Sequence, residues 1–310
     1  MSGINTNRTN ITLPSDISAE ILSKTQESSA IMRLARRIPL PGRGLTIPVI
    51  TADAEAAWVA ETGEKPVSNP SLTSKLMTPY KLAVIVPFSK EFLRDARALY
   101  DELVRRLPNA LGLQFDKTVI GAVNKPGDNF DNFAACTAQS LIASQSTTLY
   151  DGLVAAVTDV ALHGGELSGW ALSPQAKGLL LGATDSQNRP IFINNVAEGA
   201  VPMILGARTY SAKGVYKAGT AASGSGASAV AGTPAIVGVG GDWTQALYGT
   251  VAGVEVSVSD QATLTSGSGN DAVSINLWQR NMVAVRAEIE VGFRADTTVF
   301  NLLTGAVPTE

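Results

Sequence analysis

Three features of the sequence predict an α+β fold. Strand-like alternation at Leu45, Ile47 and Val49 is separated from a second run, Leu82, Val84 and Val86, by about thirty residues. Leu103, Leu107, Leu111, Phe115 and Val119 then fall at i+4 steps and place one apolar stripe on a long helix. Near the C terminus Val283, Val285, Ala287, Ile289 and Val291 alternate as one face of a long strand.

The elements follow in order. Residues 1 to 15 are rich in Asn and Thr, lack periodicity and read as an extended arm. Asp16 to Ala35 read as one helix, with Asp16 as cap and Ile17, Ile21, Leu22, Ile31 and Leu34 as its apolar positions. Pro39, Pro41, Gly42 and Gly44 end it. The two strand runs at Leu45 and Leu82 read as the sides of a long flap spanning Thr51 to Tyr80 at its tip. The tip carries Pro66, Pro70, Pro79 and one aromatic, Trp58, which is too little apolar surface for a core. Such a flap must lie on another domain or another subunit.

Ser89 and Asp101 are candidate caps for the striped helix, which spans about 22 residues, or roughly 30 Å. Pro108 lies within it and is expected to kink it. Asp151 to Leu162 reads as a helix, Trp170 to Leu172 as a short strand, and Pro174 to Leu181 as a helix with proline near its start. Residues 201–217 look like interrupted strand, and Gly219 to Thr233 is a low-complexity surface loop. Ile236 to Val239, Ala246 to Thr250 and Val254 to Val258 read as strands. The long strand runs from Met282 to Phe293, and FNLLTG follows it.

Composition excludes several functions. With 45% hydrophobic residues the chain is not disordered. Its 24 basic and 27 acidic residues give a net charge of -3, without the basic surplus of a dedicated nucleic-acid binder. One cysteine, Cys136, and one histidine, His163, rule out an internal disulfide, a cysteine-rich zinc site and paired-histidine metal motifs. The polar N terminus has no secretory apolar segment, and no run is long enough for a transmembrane helix. GSGAS and GVGGD lack the following lysine of a phosphate loop. His163 reads as a helix-end residue, Cys136 as a buried thiol, and Glu288 with Glu290 as a pair facing solvent or a neighbour. Trp58, Trp170, Trp243 and Trp278 read as core or interface anchors. No catalytic residue, cofactor or metal is expected.

Four segments in this order carry a family resemblance. Trp58 to Ala96, WVAETGEKPVSNPSLTSKLMTPYKLAVIVPFSKEFLRDA, is similar to an extension loop running into a spine helix. DGLVAAVTDVALHGGELSGWALSPQAKGLLLGATDSQNRPIF is similar to the opening of an axial domain. GDWTQALYGTVAGVEVSVSDQ and NLWQRNMVAVRAEIEVGFRADTTVFNLLTG resemble the later paired strands and the closing peripheral strand. Together they resemble the major capsid proteins of tailed bacteriophages, the Hong Kong ninety-seven-like fold, over nearly the whole chain.

The resemblance implies five parts. Residues 1–42 form an N-terminal arm with a short helix, 43–87 the extension loop, and 88–149 a peripheral domain with the spine helix. Residues 150–275 form an axial α/β domain, and 276–310 the return strand and the rest of the peripheral domain. It implies pentamers and hexamers in an icosahedral shell around double-stranded DNA, built by heterologous contacts that close by rotation. Subunit-contact candidates are Trp58, Glu61, Lys65, Lys75, Arg36, Arg37, Arg105 and Arg106. The implied partners are further copies of the chain and weakly, non-specifically contacted DNA, with scaffolding, portal and decoration proteins as additional ones, and no membrane. The implied location is the virion capsid, assembled in the host cytoplasm. No long charged helical extension precedes the arm, so a separate scaffolding protein or none is expected. Lys65, Lys75 and Lys81 have no identified cross-linking partner. An encapsulin-like compartment shares the fold, and an α/β enzyme domain is the alternative from another class.

Overall fold

The computed structural model describes residues 23–52, 58–59, 71–91, 96–142, 148–183, 203–221, 232–266 and 273–305. In chain order, α1 (Ala30–Leu34), β1 (Arg36–Pro39), β2 (Leu45–Ala52), β3 (Ser71–Met77), β4 (Tyr80–Ser89) and α2 (Ala96–Val119) come first. Then follow β5 (Thr137–Ser140), α3 (Leu149–Leu162), β6 (Gly169–Leu172), α4 (Pro174–Leu181), β7 (Met203–Ile204) and β8 (Ala207–Ser211). The last are β9 (Ala235–Gly241), β10 (Ala246–Thr250), β11 (Glu255–Ser259), β12 (Thr263–Ser266), β13 (Val273–Asn276), β14 (Met282–Ala295) and β15 (Phe300–Gly305). Helices and strands mix as an α+β chain.

The 14-residue β14 is the axis of a five-stranded sheet. Along one edge it pairs antiparallel with β4, from Met282 opposite Ser89 to Val291 opposite Tyr80. Along the other edge β10 and β11 lie end to end, and β1 adds parallel to β10. The apolar phase of these strands faces α2, where Leu107 and Leu111 meet Val256, Val285, Ala287 and Ile289. Leu107, Leu111, Phe115 and Val119 of the i+4 stripe are buried, and α2 continues through Pro108 as one element. Asp101, Leu103 and Arg105 lie in this helix, but their side chains are outside the described residues.

A six-stranded sheet runs β5-β15-β9-β6-β8-β7. Leu153 and Ala156 of α3 and Leu180 of α4 pack with Trp170, Val237 and Leu303 on it. Thr148 and Asp151 form a reciprocal capping box that starts α3 two residues before the expected Asp151. Ser173 caps α4 with Pro174 in its first turn.

The chain passes between the two sheets three times, once through α2 on the way from β4 to β5 and twice by two matching turns. Asp242 accepts from the Thr244 amide at 3.0 Å, between β9 and β10. Asp296 accepts from the Thr298 amide at 3.1 Å, between β14 and β15. The turns are tied to each other by Asp242 N–H to Val299 carbonyl and Asp296 N–H to Gln245 carbonyl, both 3.2 Å. Beside them Phe133 stacks on Phe300 at 4.5 Å between centroids, and Trp243 and Phe293 meet Phe133 edge-on. One aromatic core thus serves both sheets.

The structure corrects several expectations. The partner of β2 is β3, with Ile47 opposite Lys75, whereas β4 belongs to the sheet of β14. The reason is that β4 has an apolar face to bury and finds a ten-pair ladder with β14. β3, SLTSKLM, has no alternating apolar run of that kind, and it buries Met77 at its end. The expected helix from Asp16 to Ala35 is broken at Ser29, which is extended (φ -90°, ψ 123°) and caps α1. Residues 23–28 are helical, and the candidate cap Asp16 lies outside the described residues. The sheets also cut across the expected boundaries. β10 and β11, placed in 150–275, pair with β14, and β15, placed with the return strand, pairs with β9 and β5. The low-complexity loop falls largely outside the described residues, but its ends close as an antiparallel bridge between Thr220 and Thr233.

Candidate subunit-contact surface

Among the described residues, the β2–β3 ribbon is fixed to the body at its root. Met77 is fully buried there. A Cβ on Gly249 would lie 3.0 Å from the Met77 sulfur, and one on Gly292 would lie 2.8 Å from its Cγ. Both glycines are therefore needed to let Met77 sit on the sheet. Gly44 begins the ribbon at φ +87°, a backbone that disfavours any side chain.

Arg294 completes the anchor. Its guanidinium donates to the Leu76 carbonyl at 2.6 and 2.8 Å, to Asp131 Oδ1 at 2.7 Å and to Asn129 Oδ1 at 2.9 Å. Its side chain is only 11% exposed, so these bonds are largely shielded from water. Lys75 Nζ adds a bond to the Ala295 carbonyl at 3.1 Å. Replacing Arg294 with Ala is expected to leave the body folded and to loosen the ribbon by about 2–3 kcal/mol. Hydrogen exchange at 71–77 should then speed up roughly a hundredfold. Unchanged protection would show that Met77 alone holds the root.

The contact candidates separate into three groups. Trp58 is 105% exposed and Val59 38%, so no described part of the chain covers this point of the ribbon. Arg36 and Arg37 stand exposed on β1, and Arg37 reaches Thr250 Oγ1 at 3.3 Å. Arg106 is exposed on α2. Lys75 is half-buried and bonded at the root. Glu61 and Lys65 lie outside the described residues, as does the side chain of Arg105. The structure therefore does not gather the candidates at one point. Of the tryptophans, Trp170 and Trp243 are core, whereas Trp58 and Trp278 are exposed.

Residues with chemical potential are committed to structure. Cys136 is half-buried, and its Sγ donates to the Thr297 carbonyl at 3.2 Å. Burial, with the Asp296 charge second, pushes its thiol up to about 12, which removes the thiolate a nucleophile needs. His163 ends α3 in solvent, with Nδ1 2.8 Å from the Asp159 carbonyl. Glu288 pairs with Arg286 at 3.2 Å and Glu290 with Lys81 at 3.5 Å. Among the described residues no cluster of His, Cys, Asp and Glu suits a metal ion, and no helix is long and apolar enough to cross a membrane.

One buried carboxylate was missed in the sequence. Asp116 of α2 is fully buried and accepts from the Ser29 hydroxyl at 2.5 Å and the Ala30 amide at 3.1 Å. It therefore fixes the junction between residues 23–28 and α1 on the long helix. Burial raises its pKa from 3.8 to about 7, against the lowering effect of those hydrogen bonds.

Among the described residues, a packed core that spans both sheets carries the β2–β3 ribbon, and Trp58 is exposed. A model of the phage capsid family matches residues 9–296. The probable major capsid protein gp17 of Mycobacterium phage L5 is 30% identical over 305 residues, covering 94% of this chain and 88% of that protein. The probable major capsid protein gp17 of Mycobacterium phage D29 is 29% identical over 296 residues, covering 93% and 88%. A chain of the solved Mycobacterium phage Cain structure matches in fold with a TM-score of 0.68 at 22% identity, over 91% of this chain and 92% of that one. The chain belongs to the phage capsid family. It is a structural, self-assembling subunit of a viral shell, located in the viral particle, and not an enzyme.

Proposed function

We propose that this chain is the major capsid subunit of a tailed phage, forming pentamers and hexamers of a closed icosahedral shell around double-stranded DNA. The observation that carries this is the ribbon: its root is pinned by Met77 and Arg294, and Trp58 is not covered by any described part of its own chain. A subunit built this way is completed by laying the ribbon across the next copy. In this reading β2–β3 is the extension loop and α2 the spine helix. The sheet of β14 is the peripheral domain, and the six-stranded sheet is the axial domain. The flap then ends near Met77 rather than at residue 87, and β4 belongs to the periphery. Assembly takes place in the host cytoplasm, with scaffolding, portal or decoration proteins as further partners. The near-neutral charge of -3 suits a wall that contacts packaged DNA weakly.

The test is negative-stain electron microscopy of the purified chain, together with its size-exclusion volume. Closed shells tens of nanometres across are expected, with DNA inside particles taken from producing cells. A chain that stays monomeric with and without its co-expressed neighbours would overturn the reading. Shells loaded with an enzyme in place of DNA would make it a protein compartment.

A further inference from the structure

α1, α2 and the segment that follows β8 meet around Asp116. The Asp116 carboxylate holds the start of α1 through Ser29 and Ala30. A Cβ on Gly214 would lie 2.6 Å from the Asp116 Cβ, so the segment after β8 packs on the same turn of α2. β8 itself pairs with β6, with Gly169 opposite Arg208. A Cβ on Gly169 would lie 2.6 Å from Leu34 Cδ2, which puts the Arg208 side chain on the α1 side of the sheet. Tyr210, two residues on, points the same way, and the Arg33 guanidinium lies 5.4 Å from its ring centre.

This face is basic in a chain of net charge -3. Arg33, Arg208 and Lys213 are exposed on it, and Lys217 is exposed further along the same segment. Residues 203–241 contain Arg208, Lys213 and Lys217 and no Asp or Glu. The adjoining residues 23–28 add one base, Lys24, and one acid, Glu27. Among the described residues no carboxylate pairs with Arg33, Arg208, Lys213 or Lys217. The Tyr210 ring holds Arg33 in place and leaves its charge uncompensated. Between Arg208 and Lys213 the chain offers the hydroxyls of Tyr210 and Ser211, donors that suit phosphate oxygens better than an apolar anchor.

We infer that this face looks into the shell and that Arg33, Arg208 and Lys213 contact the phosphates of the packaged duplex. The inference rests on the shell-subunit reading and names the part of the wall that meets the DNA. Charge-to-phosphate contact is independent of base sequence and weakens with salt. A few cations per copy keep each contact weak, and the contact repeats with every copy in the shell.

Salt dependence tests it. The probe is a mixed-sequence duplex of about 30 base pairs, and its affinity for the chain held below the assembly threshold is read by fluorescence anisotropy over a range of salt. The slope of log affinity against log salt is expected to be about -3. Arg33→Gln, Arg208→Gln and Lys213→Gln should each make it shallower by about 1, and Arg208→Lys should keep the parent slope. The triple Gln variant should still form shells of the parent's size. Empty closed parent shells should leave the same duplex unbound outside them. A folded triple variant that binds with the parent's slope would overturn the inference. Closed parent shells that bind the duplex through these residues would put the face outside and overturn it too. A folded triple variant that no longer assembles would make the face a contact for another protein, such as an acidic scaffolding segment. If the triple variant melts early, the single variants carry the slope test. If the parent chain forms no shells, the shell reading falls, while the slopes still decide whether these residues bind phosphate.

Discussion

Trp58→Ala should leave the subunit's melting temperature unchanged and abolish assembly at concentrations where the parent chain forms shells. The side chain is 105% exposed, so truncating it removes nothing from the folded core. In the assembled state an indole covered by a neighbour is worth about 2–4 kcal/mol per contact. That is roughly thirtyfold or more in each subunit-subunit equilibrium. The loss recurs at every ribbon in a ring, so a modest term per contact becomes failure of the whole. Thermal melts followed by circular dichroism, and particle counts by electron microscopy, separate the two effects. Trp58→Phe should recover part of the assembly, because it keeps an aromatic anchor with less area. A lower melting temperature with normal assembly of the folded fraction would place Trp58 in an intrachain contact.

What was legible in the sequence was what repeats locally. The i+4 stripe of α2, the alternation of β14 and the proline start of α4 follow from neighbouring residues, and the structure uses them directly. The shortage of apolar residues in the flap was also legible, and it implies that the flap lies on another domain or another subunit. What could not be read was long-range pairing. Leu82, Val84 and Val86 announce a strand, but nothing local says that its partner lies about two hundred residues later rather than across the flap. β3 announces little, because SLTSKLM has no alternating apolar face in its sequence. Asp242 and Asp296 look like ordinary turn residues, and only their mutual bonds show that they move two strands between sheets. Arg294 reads as the polar phase of β14 until Leu76, Asn129 and Asp131 gather around it. Asp116 sits beside the apolar stripe, and its partner Ser29 is 87 residues away.

Asp116 gives the second large effect, and its sign can be worked out. Burial raises its pKa from 3.8 to about 7 in the folded chain, so between these values the native state holds a proton that the unfolded state has lost. Its contribution to stability is therefore greatest below pH 4 and falls as the pH rises to about 7, by roughly 4 kcal/mol in all. Asp116→Asn removes the ionisation while keeping an oxygen to accept from Ser29 or Ala30. It should match or exceed the parent chain's melting temperature at pH 8 and lose that advantage at pH 5. Asp116→Ala should be less stable at both values, by about 2–5 kcal/mol, and melt lower, because the Ser29 hydroxyl and the Ala30 amide are left buried without their acceptor. Both variants act where residues 23–28 and α1 meet α2, so hydrogen exchange at Ala30–Leu34 should change with them while β14 stays protected. If the parent chain instead gains stability between pH 5 and 8 and Asp116→Asn loses that gain, the hydrogen bonds from Ser29 and Ala30 outweigh burial. The carboxylate would then be the form that holds this junction to the long helix.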